Sequence, residues 1–438
     1  MSLRNRTAAT TAALALTLTL TACGGSGPAE PLKNVDGDDL SGSVNVWSWD
    51  VAATALKRLV KDFEAEHPDV DVKVTDVGYD NAADKLSVGL KSGTGLPDLV
   101  TVETQQMQSY IGQFPDGFAE MTGAAKKFED DMDPSKWEAS SSPDDKLYAL
   151  PWDSGTAGLF YRTDLFAKAD VDANSIETWD DLIDAGKKVK KATGAKLLVS
   201  DLAGSSSLVP LLMQQQGVGY FDDDGDITLD SPEAETALDI VTRLNEAGLI
   251  HNEKGWDALV RANKDGTVAA EASGVWWAGT LTSEMPELKG KFGAMPLPAI
   301  GDGEVRTSNN GGSGLAVPAQ AENPDAAWAF TKFALTDTGN QVSMMMKEGL
   351  FPSYLPSLED PFFSKPQKYF GDEPVYEMFG EQTANIPPIQ YTEDFAQAGE
   401  AMTDVVPGVV VDGDNAKNAL TGAADRLADV TGRDKAKR

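Results

Sequence analysis

The sequence predicts an α/β fold in which mainly parallel strands are flanked by helices. Three observations lead there. Strand and helix patterns alternate from Ser43 onward, apolar residues make up 41% of the chain, and 438 residues exceed what one core usually serves.

The elements follow in order. SVNVWSW (43–49) reads as a strand, and Leu56, Leu59, Val60 and Phe63 then share one helix face. VDVKVTDV (70–77) alternates as a strand, a helix carrying Leu86 and Leu90 ends near Gly93, and Leu99 to Val102 form a short apolar strand. ALPWDSGTAGLFYR (149–162) is extended. Thr178 caps a helix in which Trp179, Leu182, Ile183 and Val189 share a face. Ser231, Pro232 and Gly248 mark the start and end of another helix, and a further one runs from about Asp325 to Leu335.

The N-terminus has its own logic. Arg4 and Arg6 precede an uncharged run over residues 8–20, then small residues, then Cys23, the only cysteine. Basic, apolar, small is the order of an export signal, and the run is short for a membrane span. Leu20-Thr21-Ala22-Cys23 resembles the bacterial lipoprotein signal, which implies cleavage after residue 22 and lipidation of Cys23. Residues 24–42 are Gly-, Pro- and Asp-rich and read as a flexible tether.

Charge excludes some partners. Removing residues 1–22 leaves 35 basic against 69 acidic side chains, a net −34. Nucleic acid and anionic membrane surfaces both need a basic face, so neither is a partner by docking. Catalytic motifs are also missing: there is no H-E-x-x-H, G-x-S-x-G or G-x-x-x-x-G-K-[ST]. His67 and His251 both read as helix-end residues. FDDDGDITLD (221–230) fails the calcium-loop spacing and reads as an acidic turn. No metal site, cofactor or enzyme activity is expected.

Aromatics at strand ends point elsewhere. In parallel α/β sheets, ligands bind beyond the carboxyl ends of strands. WSWD places Trp49 and Asp50 at such an end, VETQ places Glu103 and Thr104, and PWDS places Trp152 and Asp153. GVWWAGT adds Trp276 and Trp277, of which one at most faces a crevice if they lie on a strand. An indole face beside a carboxylate suits a sugar, whose C–H face stacks while its hydroxyls donate.

Taken in order, the lipoprotein motif, SVNVWSWD…LVKDFEAEHPDVDVKV, LPDLVTVE, YALPWDSGTAGLFYRTDLF, YFDDDGDITLDSPEAETAL, GVWWAGT, GGSGLAVPA and AWAFTKFALTDTGNQ resemble the extracellular solute-binding proteins of ABC transporters, specifically the sugar and oligosaccharide family. The resemblance covers nearly all of the mature chain. It implies a two-lobed periplasmic-binding-protein-like fold, with lobe one at 43–152 plus 309–338 and lobe two at 153–308 plus 339–438. Crossings would fall near Leu150–Ser154, Gly301–Asn310 and Leu335–Gln341, with hinge closure on ligand. It adds Asn310, Gly311, Gly312 and Tyr354 to the binding residues above. It further implies a monomer that delivers an oligosaccharide to membrane permease subunits while anchored to the outer face of the cell membrane by Cys23. Two other functions compete: the same fold binding a cationic non-sugar such as a polyamine, whose nitrogens would suit carboxylates and aromatic faces, and a tethered glycan-degrading enzyme.

Overall fold

The computed structural model describes residues 31–32, 40–204, 206–301, 303 and 305–437. The export signal, Cys23 and most of the proposed tether lie outside them. Leu32 is the exception within that tether: it is buried in the core around Leu56, Phe63 and Trp328 (the first core), and its N–H donates to the Glu120 carbonyl at 2.7 Å. The expectation of a wholly flexible tether is corrected at that residue, because its apolar side chain finds a core to enter.

The strands are β1 (Gly42–Ser48), β2 (Val70–Asp76), β3 (Leu99–Glu103), β4 (Ala149–Arg162), β5 (Leu198–Ser200), β6 (Ile250–Asn252), β7 (Ala270–Gly274), β8 (Phe292–Pro296) and β9 (Asn309–Ala316). One sheet runs in the order β2-β1-β3-β9-β4-β7, with β8 also on β4, and β5 pairs with β6 apart from it. The β1–β2, β1–β3 and β5–β6 ladders are parallel, as predicted. The pairings of β9 with β3 and β4, and of β4 with β7 and β8, are antiparallel. The second half is therefore less parallel than the sequence pattern implied. Periodicity locates strands but not their direction, and β4 takes a neighbour on both sides from strands that return towards it.

β4 links the lobes. Its first half pairs with β9 and its second half with β7 and β8. Between them the register slips at Pro151/Asp153 and at Ser154/Thr156, bulges that bend the strand where the two halves of the sheet diverge. Side chains alternate as a strand requires: Leu159 enters one core and Phe160 the other. The first half behaves alike, with Leu99 and Val100 entering opposite cores. Each lobe is thus a sheet with apolar packing on both faces, a two-lobed α/β architecture flanked by helices.

Local signals hold where they were specific. The helix Trp179–Thr193 starts with a capping box between Thr178 and Asp181. Pro324–Leu335 and Pro232–Glu246 begin as read, the latter with the Ser231 hydroxyl accepting from the Ala234 N–H. The acidic 221–226 segment is a turn, closed by Gly225 N–H to the Asp222 carbonyl at 2.9 Å and by Gly225 at φ +78°. His67 is the residue that ends its helix. His251 is not a helix-end residue but lies in β6, because Gly248 leads directly into that strand. Helix Thr338–Glu348 sends Met344 into the first core and Val342 and Met345 into the cluster around Phe160, Phe351 and Phe379 (the third cluster), so it straddles the lobes.

Candidate functional site

The parallel order sets where the site lies. β1, β2, β3 and the first half of β4 all run the same way, and β9 opposes them. Their carboxyl ends and the start of β9 therefore share one edge. Trp49 and Asp50 follow β1, Glu103 closes β3, Asp153 lies where β4 leaves the first lobe, and Asn309 opens β9. β7 runs against β4 in the second lobe, with Gly274 opposite Ala157, so Trp276 just beyond it arrives at the same edge.

The stretch 309–313 gathers the polar groups. Asp153 is buried, and its Oδ1 accepts from the Ser313 N–H at 2.9 Å and from the Ser313 hydroxyl. Lys136, on the short helix Pro134–Ala139, is also buried and donates to Asn309 Oδ1 at 2.7 Å and to the Gly311 carbonyl at 2.6 Å. Trp276 Nε1 donates to the Asn310 carbonyl at 2.8 Å. Gly311 and Gly312 sit at φ +82° and +102°, backbone that a side chain would strain, and this exposes their carbonyls to Lys136 and Thr104. Gly155 is required too: a Cβ there would strike the Asn310 carbonyl and lie 2.7 Å from that of Gly311.

Glu103 completes the cluster. Half-buried, it accepts from the Tyr79 hydroxyl at 2.8 Å, and Tyr79 meets Trp49 edge-on with centroids 5.8 Å apart. Burial pushes the Glu103 carboxyl up, while Tyr79 and Gln105 pull it down. Burial also raises Asp153, against the Ser313 hydrogen bonds and Lys136. Lys136 is lowered by burial, opposed by Asp133, Asp153 and Glu103. Asp133, Asp153, Glu103 and the Lys136 ammonium thus lie together at a poorly solvated edge beside two indoles. Such a group binds hydroxyls and C–H faces.

Several predicted residues fall elsewhere. Trp152 and Trp277 are both 0% exposed, packed in the first core and in the third cluster, so neither presents a face to the cleft. That corrects both. Trp152 alternates with Asp153 on β4, so burying the carboxylate at the edge turns the indole inward. Trp277 opens the helix Trp277–Glu284 rather than sitting on a strand, which leaves Trp276 as the half-buried partner at the edge. Thr104 is buried and donates to the Gly312 carbonyl at 3.3 Å, a backbone support. Tyr354 is half-buried against the first core, near Asp131 and Asp337 instead of the carboxylate cluster. Asp50 is exposed at φ +42°, its N–H bonded to Asp76 Oδ1 at 3.2 Å.

Sequence reasoning missed Tyr79, Lys136, Asn309 and Tyr391. Tyr79 was findable, because β2 ends at Asp76 and obeys the same carboxyl-end rule as β1 and β3. Tyr391, buried and hydrogen-bonded to the Asn309 side chain, and Lys136 carry no local signal. Among the described residues no group of acidic, His or Cys side chains could hold a metal. Nor is any helix there long and apolar enough to cross a membrane.

Two lobes joined by β4, with aromatic and carboxylate groups converging at the junction, define a two-lobed α/β protein with a polar and aromatic cleft. The chain belongs to the bacterial extracellular solute-binding protein family, whose profile matches residues 48–341. It is 29% identical over 385 residues to a lactose-binding protein of Rhizobium radiobacter, covering 84% of this chain and 89% of that protein. An arabinooligosaccharide-binding protein of Halalkalibacterium halodurans is 27% identical over 369 residues, covering 81% and 80%. In structure it resembles the GacH receptor of Streptomyces glaucescens, solved unliganded and with acarbose, at TM-score 0.77 and 23% identity over 91% of this chain and 100% of that one. A binding protein of B. animalis subsp. lactis solved with beta-1,6-galactobiose gives the same TM-score at 24% identity, covering 89% and 97%. The protein is thus an extracellular binding protein by family.

Proposed function

We propose that the protein is the oligosaccharide receptor of an ABC importer. It binds its ligand between lobes 43–152 plus 309–338 and 153–308 plus 339–438, and passes it to membrane permease subunits. It acts as a monomer, held to the outer face of the cell membrane by acyl chains on Cys23, since several chains anchor a protein that one would hold only marginally.

The observation that carries the sugar assignment is the binding of Trp276, Lys136 and Asp153 to the single stretch 309–313. An indole face, two acceptor carboxylates and one donor ammonium match the alternating C–H and O–H character of a glycan. Lys136 counts against the cationic alternative, because it already supplies positive charge between Asp153 and Glu103. Relatives named for lactose and arabinooligosaccharides, and a similar structure holding beta-1,6-galactobiose, support the same class.

Calorimetric titration of the soluble chain (residues 24–438) with lactose, galacto-oligosaccharides, arabino-oligosaccharides and spermidine tests this. Saturable binding of a sugar, weakened in Trp276→Ala, is expected without release of new reducing ends. Binding of spermidine alone would overturn the sugar assignment. For the anchor, labelled palmitate should enter the full chain and fail to enter Cys23→Ser.

A further inference from the structure

The indole of Trp256 continues the aromatic wall outward from Trp276. Its ring centroid lies 5.9 Å from that of Trp276 and 5.7 Å from that of Trp277, meeting the latter at 88°. Trp276 itself lies at the junction, bonded to Asn310. We propose that Trp256 is an outer sugar subsite, and that the ligand is therefore a chain of at least three sugar units. The proposal rests on the oligosaccharide reading above and adds to it a length and a residue.

Three features favour a ligand role over core packing. Trp256 is 45% exposed, the one tryptophan among the large apolar side chains exposed in the described residues. The helix it opens, Trp256–Lys264, buries Ala258 and Ala262 on its other side, so its own core contact is made without the indole. Finally, Trp277 meets it edge-on, which fixes the ring's orientation while leaving area uncovered. An isolated exposed apolar residue needs no explanation. One held by two further indoles at the margin of a binding cleft does, because the same ring area could have been buried.

The spacing sets the length. With two inner sugar units against the 309–313 stretch and Trp276, as many as in the beta-1,6-galactobiose held by a similar protein, Trp256 lies 5.9 Å beyond Trp276 and offers its face to the next unit. A disaccharide ends before Trp256 and a trisaccharide reaches it. Stacking on a fixed aromatic face loses little conformational entropy on the protein side.

The test is calorimetry on two ladders, galactose to beta-1,6-galactotriose and arabinose to arabinotriose, with wild type, Trp256→Ala and Trp256→Phe. In the ladder that binds, the trisaccharide should exceed the disaccharide by about tenfold in Kd for wild type. Trp256→Ala should erase that gain and leave the disaccharide within about twofold, and Trp256→Phe should restore most of it. Equal loss for both lengths in Trp256→Ala would mean that the ring merely props Trp276, and would overturn the subsite. A gain that persists in Trp256→Ala, or no gain in wild type, overturns it as well. Wild type that binds disaccharide normally confines the failure to the subsite. Wild type that binds no member of either ladder overturns the oligosaccharide reading together with the subsite.

Discussion

The Lys136 ammonium donates to Asn309 Oδ1 at 2.7 Å, tying a helix of the first lobe to the strand on which the chain returns from the second. The same nitrogen holds the Gly311 carbonyl at 2.6 Å. Lys136 thereby shapes the 309–312 backbone and balances Asp153 and Glu103. Lys136→Met keeps the stem and removes the charge. Hydrogen bonds to charged groups contribute about 1.5–3 kcal/mol, and a loss of that order in unfolding free energy is expected. Sugar affinity should fall as well, and spermidine binding should emerge as the carboxylates lose their counter-charge. Unchanged denaturant midpoints and unchanged selectivity would remove Lys136 from the site.

The two adjacent tryptophans should separate cleanly. Trp276 is half-buried at the cleft edge, whereas Trp277 is wholly buried among Phe160, Val275 and Leu281 of the third cluster. Trp276→Ala should weaken sugar binding by about 2 kcal/mol, roughly 30-fold in Kd, with a small change in melting temperature. Trp277→Ala should instead destabilise the fold by about 3–5 kcal/mol through the cavity it leaves. Paired calorimetry and thermal melts read both, and the reverse pattern would exchange the two roles.

Much of this arrangement was legible beforehand, and the part that was not has physical causes. Parallel strands in β1, β2 and β3 followed from alternation, and the carboxyl-end rule placed Trp49, Glu103 and Asp153 at one edge. What alternation cannot settle is which neighbour of a pair faces out. On β4 the sequence offered Trp152 and Asp153 together, and only the bulges beside them decide that the carboxylate stays at the edge. Lys136 stood in no motif, since its role depends on a strand 173 residues away. Long-range partners of that kind leave no local trace.

The proposed lobes meet at a small residue. Gly112, near the end of helix Thr104–Gln113, meets the Glu393 side chain of the other lobe so closely that a Cβ there would lie 2.8 Å from Glu393 Oε2 and closer still to its Cβ. Glu393 is held from behind by Arg433 at 3.3 Å. Gly112→Leu should therefore oppose the closed form while leaving each lobe intact. Apparent affinity falls in proportion to the closed fraction, so a Kd about tenfold weaker is expected. Small-angle scattering should show a larger radius of gyration that sugar no longer contracts. Contraction equal to wild type would show that the two helices do not meet on closing.

Glu271 gives the protein a pH dependence away from the cleft. It lies on β7, is 7% exposed, and burial pushes its carboxyl up to about 8, against hydrogen bonds from the Asn263 side chain and the Val199 backbone. Its Oε2 and Asn263 Oδ1 both lack a partner, and a proton on Glu271 supplies the missing donor. Arg162 reaches the Asn263 carbonyl at 3.4 Å, but its guanidinium is committed to Asp164. The folded value exceeds the unfolded one, so the folded state binds the extra proton. Stability is full below about pH 4.5 on this account, declines between there and pH 8, and levels off above. A shift of this size corresponds to about 3–5 kcal/mol. Glu271→Gln keeps a donor at every pH. It should therefore match wild type near pH 4–5 and exceed its melting temperature progressively towards pH 9. A difference in melting temperature that stays flat across that range would mean that Glu271 is already charged in the folded protein, with a partner other than Asn263.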